Sequence, residues 1–267
     1  GSGNGYGAVH QNELTVYFIA DQHVGLLAWG KETGEPYDLA IGRARLRHCS
    51  TTLIHRAPPS RLALIANVGD WYHVDDTRNA TPTSSNRLDA DGRFQKITRC
   101  GVDMMFDLAE LAAQKHEEVE IVNIPGNHDP HAKIVLDTAL WATYRNHPKI
   151  RFLENIGDFY YRRWGRNLMG LAHGDKLKPQ EMFNTMAHHS EWSATDYHNF
   201  YYGHFHAERV KVIGDCRLMC VPSIAGRDHW TVGKGFCGPR YLFAETFDKD
   251  EGPIGSVQAN VITEKWR

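Results

Sequence analysis

Four times in this 267-residue chain a short apolar run ends abruptly in polar, chemistry-bearing residues. "LTVYFIA" stops at Asp21, "LALIANV" at Gly69-Asp70, "VEIVNI" at "PGNHD", and "LMGLA" at His173-Gly174-Asp175. Aliphatic and β-branched runs this short suit strands buried on both faces, as in a parallel sheet covered by helices. Helical patterns fall between them. Phe94, Ile97, Met104, Met105, Leu108 and Leu111 recur at three- and four-residue steps, which predicts an amphipathic helix from about Arg93 to His116 with its methionines in the core. A second helix is expected from about Tyr37 to Ile54. A third is expected from Pro130 to about Asn146, with Asp129 as its N-cap and Pro130 in its first turn.

After Gly203 the chain changes to extended runs, "VKVIG", "RLMCV", "RYLFAETF" and "SVQANVI", whose intervening turns predict mainly antiparallel strands. The fold class is therefore α/β. The polar clusters fall at the carboxyl ends of strands, where open α/β sheets bind ligands. Residues 1–13, rich in Gly and polar side chains, read as a flexible leader, and 14–267 as one domain. The polar stretch 75–92 is a loop of a length that is usually functional or disordered.

Composition excludes several classes. Thirty Lys and Arg against 32 Asp and Glu give a net charge of −2, so any polyanion site must be local. The five cysteines form no C-x-x-C pair and read as small buried hydrophobes in a reducing compartment. No apolar run approaches the roughly 20 residues that span a bilayer, and no secretory pattern opens the chain, so a cytoplasmic protein without membrane contact is expected. The departure from ordinary usage is 16 histidines, several of them beside Gly, Asp or Asn at the ends of apolar runs.

Each cluster alone has a commoner structural reading. Asp21-Gln22-His23 can be a surface loop, or a carboxylate and an imidazole that point the same way along extended backbone and grip one cation. Gly69-Asp70 can be a turn, or a carboxylate whose two oxygens bridge two cations. Asn127 offers a neutral hard oxygen, and His128 beside it is free to move a proton. A lone His173, His204 or His206 is more often a satisfied core residue than a ligand. Together the clusters supply Asp, His, Asp, Asn, His, His and His, which points to a shared dinuclear metal site.

The ordered series D-x-H, G-D-x-x-H, G-N-H-D, a histidine after a strand, and G-H-x-H resembles the calcineurin-like metallophosphoesterase superfamily over Asp21 to His206. The resemblance implies a four-layer α/β/β/α sandwich with mixed sheets. It also implies that Asp21, His23 and His206 hold one divalent metal and Asn127, His173 and His204 the other, with Asp70 bridging. A metal-bridged hydroxide would then attack phosphorus. Mn²⁺ is favoured, with Fe or Zn²⁺ also suited to the donors.

His128 would protonate the leaving oxygen. His73, where many phosphatases of the family carry Asp, is similar to the nuclease branch and would orient His128. The stretch from His23 to Leu46 resembles bacteriophage-encoded members. Nucleic acid is thus the expected substrate, DNA or RNA, with a phosphomonoesterase or small-molecule phosphodiesterase as the alternative and a noncatalytic scaffold the weakest reading. Little chain follows His206, which leaves little room for a separate DNA-capping domain. Arg78 stands at a different spacing from the phosphate-clamping arginine of the phosphatases.

Lys176 and Lys178, just past His173, are the candidate substrate contacts. Weaker candidates are Arg43, Arg45, Arg47, Arg56 and Arg61, then Arg162, Arg163 and Arg166 around Trp164. His188, His189, Trp192 and His198 could overhang the site, and Asp228, His229 and Trp230 could line it. Protein partners are not indicated.

Overall fold

The computed structural model describes residues 7–227 and 238–262. The predicted parallel strands are β1 (His10–Ile19), β2 (Ser60–Asn67) and β3 (Glu118–Asn123). With β4 (Ile150–Leu153), β10 (Tyr241–Asp248) and β11 (Gly252–Asn260) they form a six-stranded sheet in the order β11-β10-β1-β2-β3-β4. β1 to β4 run parallel, and β10 and β11 run antiparallel at one edge.

A second sheet has the order β5-β6-β7-β9-β8. Its members are β5 (Phe159–Trp164), β6 (Asn167–Ala172), β7 (Tyr197–Tyr202), β8 (Arg209–Ile213) and β9 (Cys216–Cys220). β6, β7 and β9 are parallel, and the two edge strands are antiparallel. The expectation of antiparallel pairing after Gly203 therefore holds for β8–β9 and β10–β11, but β9 also returns parallel to β7.

Alternation along the strands assigns side chains to layers. Tyr17, Ile19, Ala63, Ile65, Val119 and Ile121 face α2 (Leu39–Arg56), α3 (Phe94–Ala113) and α4 (Ala132–Tyr144) in one core. Their neighbours Val16, Phe18, Leu64, Ala66 and Val122 meet Met169, Leu171, Tyr201 and Met219 of the second sheet in another. The outer face of that sheet is covered by α5 (Pro179–Ala187), through Met182 and Met186. The result is the four-layer α/β/β/α arrangement. A one-turn α1 (Gly30–Thr33) precedes α2. Among the described residues no helix is long and apolar enough to cross a membrane, and Cys49, Cys100, Cys216 and Cys220 are free thiols.

Three differences from the sequence reading have physical causes. β1 starts at His10, so residues 10–13 of the expected leader are strand; the His10 amide donates to the Pro59 carbonyl at 2.8 Å. The segment holding α5 shows only two buried side chains, one turn apart, too weak a period to stand out. α4 starts at Ala132, and Asp129 is not its cap. Asp75 takes that place from across the chain: its Oδ1 accepts from the amides of His131 at 2.7 Å and Ala132 at 2.8 Å. Its Oδ2 meets the His131 ring, so the His131 side chain also takes part in this cap.

Candidate metal centre

The carboxyl ends of β1, β2, β3, β6 and β7 converge on one edge, each delivering a motif. Asp21 and His23 follow β1, Asp70 and His73 follow β2, Asn127 and His128 follow β3, His173 follows β6, and His204 and His206 follow β7. The backbone there is not extended as the D-x-H reading supposed. Asp21 has φ 49° and His23 φ 47°, and Asp70, His204 and His206 have φ 54°, 71° and 52°. Of the seven non-glycine residues described with positive φ, five are proposed ligands. That conformation costs a non-glycine residue about 1–2 kcal/mol, and it persists where surrounding bonds enforce it.

Those bonds are visible. The Asp21 and His23 amides donate to the carbonyls of Gly69 at 3.1 Å and Asp70 at 3.0 Å, stitching the first two motif loops together. Asp129 joins the second loop to the third: its Oδ2 accepts from the Tyr72 amide at 2.9 Å and its Oδ1 from the Gly126 amide at 3.2 Å. Gly126 has to lack a side chain, because a Cβ there would fall 2.0 Å from Asp70 Oδ1.

The side chains fall into three groups, the third being His23, His73 and His128, and Asp70 stands between the two that hold the proposed ligands. Asp21, His23 and His206 bring their ligand atoms within 4.8 Å of one another, as do Asp70, His173 and His204. His23 Nε2 lies 3.2 Å from His206 Nε2 and 3.9 Å from Asp70 Oδ2. His173 Nε2 lies 3.1 Å from Asp70 Oδ2 and 3.0 Å from Asn127 Oδ1. All seven proposed ligands are thus brought together. His73 also approaches, with its Nδ1 3.3 Å from His23 Nδ1.

One contact tests whether this cluster suits cations. His173 Nδ1 lies 3.0 Å from the Val68 carbonyl, which can only accept, so Nδ1 carries the proton. Burial opposes the charged ring, yet Asp70 raises it to about 10, so without metal Nε2 holds a proton between a carboxylate oxygen and the amide oxygen of Asn127. The position calls for positive charge, which that proton supplies and which a divalent cation would supply on a deprotonated Nε2. Burial pushes the Asp21 carboxyl up to about 8, the mark of a buried carboxylate short of positive charge. Burial, with His128 and His206 beside it, holds His23 well below its ordinary value, in the neutral form that binds metal. Asp70 is a buried carboxylate held in its charged form by the His173 and His128 imidazoles, which outweigh desolvation. The donor set of carboxylate, amide oxygen and imidazole suits a divalent cation in each group.

His128 is held at both ends. Its amide donates to Asp70 Oδ1 at 2.8 Å and its Nδ1 to the His73 carbonyl at 3.0 Å, which leaves Nε2 for a reacting atom. The orienting contact from residue 73 is therefore main chain. The His73 ring stacks near that of His128, 5.4 Å between centroids, while its Nδ1 addresses His23.

The other candidates have other occupations. Lys176 is paired with Asp158 at 2.6 Å, and Lys178 opens α5, its amide donating to Glu181. Arg45 is buried against Glu35, Arg56 donates to the Gln258 carbonyl, and Arg162, Arg163 and Arg166 pair with Glu120, Glu191 and Asp196. Arg78 folds onto Asp76. Trp192 stacks on His198 at 3.6 Å in the packing around α5, and His189 lies against Tyr161. Asp228, His229 and Trp230 lie outside the described residues. The sequence reading missed Asp75 as a cap, and a carboxylate that serves a helix 56 positions later leaves no local signal.

No protein-family profile matches the chain, and no curated protein matches it. Solved structures do. An archaeal phosphodiesterase is similar over 92% of this chain and 99% of its own, with 10% identity and a TM-score of 0.47. A dimetal phosphatase from Danio rerio is similar over 92% and 98%, with 9% identity and a TM-score of 0.47. The phosphoesterase Yfce from E. coli is similar over 92% and 100%, with 15% identity and a TM-score of 0.42. At such identities and scores these likenesses carry nothing about what this chain acts on, and the side chains have to.

Proposed function

We propose that this protein is a dinuclear metal-dependent phosphoesterase of the calcineurin-like kind, and that its substrate is a phosphodiester in nucleic acid. The observation that carries the reading is the convergence of all seven donors, with Asp70 standing between the Asp21, His23 and His206 group and the His173, His204 and Asn127 group. Asp21, His23 and His206 would hold one divalent metal and Asn127, His173 and His204 the other, with Asp70 shared between them. Such a pair supplies a nucleophile from water at neutral pH and neutralises charge on the phosphoryl oxygens.

The chain's own contribution is positioning and proton transfer. Asp70 fixes the His128 amide, the His73 carbonyl fixes the His128 ring, and Nε2 of that ring is placed to give a proton to the departing oxygen. His73 in the fourth position of its motif favours the nuclease branch over a phosphomonoesterase. Mn²⁺ is our choice for the test, and the mixed donors suit Fe or Zn²⁺ as well.

The test is a substrate panel with Mn²⁺: labelled single- and double-stranded DNA, RNA, bis(p-nitrophenyl) phosphate and p-nitrophenyl phosphate. Diester cleavage is expected, with His128→Ala slower by about 10²–10⁴-fold while still binding Mn²⁺. Turnover of the monoester alone would replace this reading by the phosphomonoesterase one.

A further inference from the structure

Beside the metal cluster the helical layer opens a feature that none of the motifs predicts. Between α2 and α3, around their first turns, lies an open groove of about 940 Å³. Arg43 of α2 lines it, with Arg93, Lys96 and Arg99 from the start of α3. The last three recur every third residue, share one helix face and are exposed. Arg43 holds Asp107 at 3.1 Å and Lys96 reaches Asp91 at 3.5 Å, but Arg93 and Arg99 have no carboxylate partner among the described residues.

Asp38 and Asp91 of the lining are engaged elsewhere than with Arg93 and Arg99. Asp38 is turned to the main chain of α2, where it accepts from the Ile41 amide at 2.8 Å. Asp91 accepts from the Leu39 amide at 2.9 Å through one oxygen and from Lys96 through the other, which leaves Arg93 and Arg99 with Asp103 in the lining. α3 also begins without a side-chain cap at Arg93, so the positive end of a 20-residue helix adds to the same wall.

Gly25 joins the groove to the metal cluster. It stands two residues beyond His23, a reach of at most about 7 Å. Its carbonyl accepts from the Asp91 amide at 2.8 Å, and a Cβ on it would fall 2.7 Å from Ile97 Cγ2, so its backbone lies on the first turns of α3. A small crevice lined by His23, Asp38, Leu39 and Arg43 shares the last three with the groove.

We infer that this groove carries the phosphate backbone of the nucleic-acid strand on one side of the bond to be cut. The inference rests on the proposed diesterase reading. Arg93 to Arg99 covers about 9 Å along the helix axis, a spread that suits successive phosphates better than one small anion, which needs donors that converge. Contacts from such cations to phosphates position the strand and carry no sequence preference of their own.

The experiment uses the full chain with Arg93→Glu and Arg99→Glu together. Binding of a labelled single-stranded oligonucleotide is measured by anisotropy across salt concentrations, in a His128→Ala background to suppress cleavage. A control exchanges Arg61→Glu and Lys211→Glu, exposed cations at the start of β2 and on β8. The groove variant should lower the slope of log affinity against log salt by roughly 1.4, as for two lost phosphate contacts. With His128 intact, its kcat/KM for the oligonucleotide should fall about tenfold or more relative to bis(p-nitrophenyl) phosphate on the same preparation. An unchanged slope and ratio, or an equal change in the control, overturns the groove. Absence of all diester turnover in the unsubstituted protein instead overturns the proposed function, and the binding arm still decides whether the groove takes the strand.

Discussion

β2 has buried histidine at each end, a single ring at its start and a cluster at its end, and the two differ in kind. At its start, His116 Nδ1 meets Ser60 at 2.9 Å and its Nε2 meets the Tyr17 hydroxyl at 2.8 Å. Every contact there pairs a donor with an acceptor through neutral groups, and none of the three residues is among those with positive φ. Burial lowers His116 to about 4, so the ring stays neutral without help from any ion. At the end of β2, imidazole nitrogens face one another and face carboxylates, and five of the contributing residues sit in the left-handed region. A satisfied histidine completes a core. A cluster that crowds imidazoles and carboxylates on strained backbone is the one we propose takes cations.

Four experiments can break or sharpen that contrast. The largest effect is expected from Asp70→Ala, which removes the carboxylate between the two metal groups. The unsubstituted protein should gain about 2.7 kcal/mol of stability in Mn²⁺ at 100 times its Kd, and the variant should gain almost none and lose diester turnover. His116→Gln should keep the full Mn²⁺ response. If both variants respond alike in thermal denaturation, the contrast fails.

The pH dependence should run in opposite directions at the two ends. His116 falls from its ordinary 6.5 to about 4 on folding, so the unfolded chain takes up the proton first. Stability is therefore lost as pH drops from 6.5 towards 4, by on the order of 3 kcal/mol at most. His116→Gln should flatten that part of the urea-unfolding profile. Asp21 rises from 3.8 to about 8, so without metal its contribution is present at acid pH and disappears as pH rises towards 8. Added Mn²⁺ should offset that loss, giving a metal response that grows with pH.

A smaller effect is expected from His73→Ala. The carbonyl that orients His128 survives, but the nitrogen facing His23 Nδ1 is lost. Titration calorimetry should therefore find Mn²⁺ affinity down about 10–100-fold. A change in turnover with affinity intact would return His73 to the role of orienting His128 through its ring. The smallest effect belongs to Asp75→Ala, which uncaps α4 at a cost of about 1 kcal/mol in chemical denaturation, with no change in Mn²⁺ affinity.

How much of this was legible in the sequence depended on the range of the interaction. The strands β1, β2, β3 and β6 announced themselves because a strand buried on both faces must be apolar throughout. Helix α3 did so because its buried face repeats over 20 residues. The residues proposed as ligands were legible as a set because each follows a strand within a few positions. The left-handed turns were not, since Asp21 and His23 are held there by carbonyls of Gly69 and Asp70, distant in the chain. Nor were the basic stretches readable as sites: Arg45 and Arg162 look free in the sequence, and only the fold brings Glu35 and Glu120 to them. Asp129 looked like a cap from its place before a proline, but its oxygens are taken by Tyr72 and Gly126.

The pair Asp75 and Asp91 has a practical consequence for anyone who wishes to alter this chain. Asp75 anchors the segment's beginning to the start of α4, and Asp91 anchors its end to the start of α2 and to Gly25. The residues between are fastened at both ends independently of their own length, and loop closure grows only slowly more costly with added residues. The tip between Asn79 and Arg87 is therefore the place to graft an affinity tag or a fluorophore-bearing insert, with the neighbouring helices left in register.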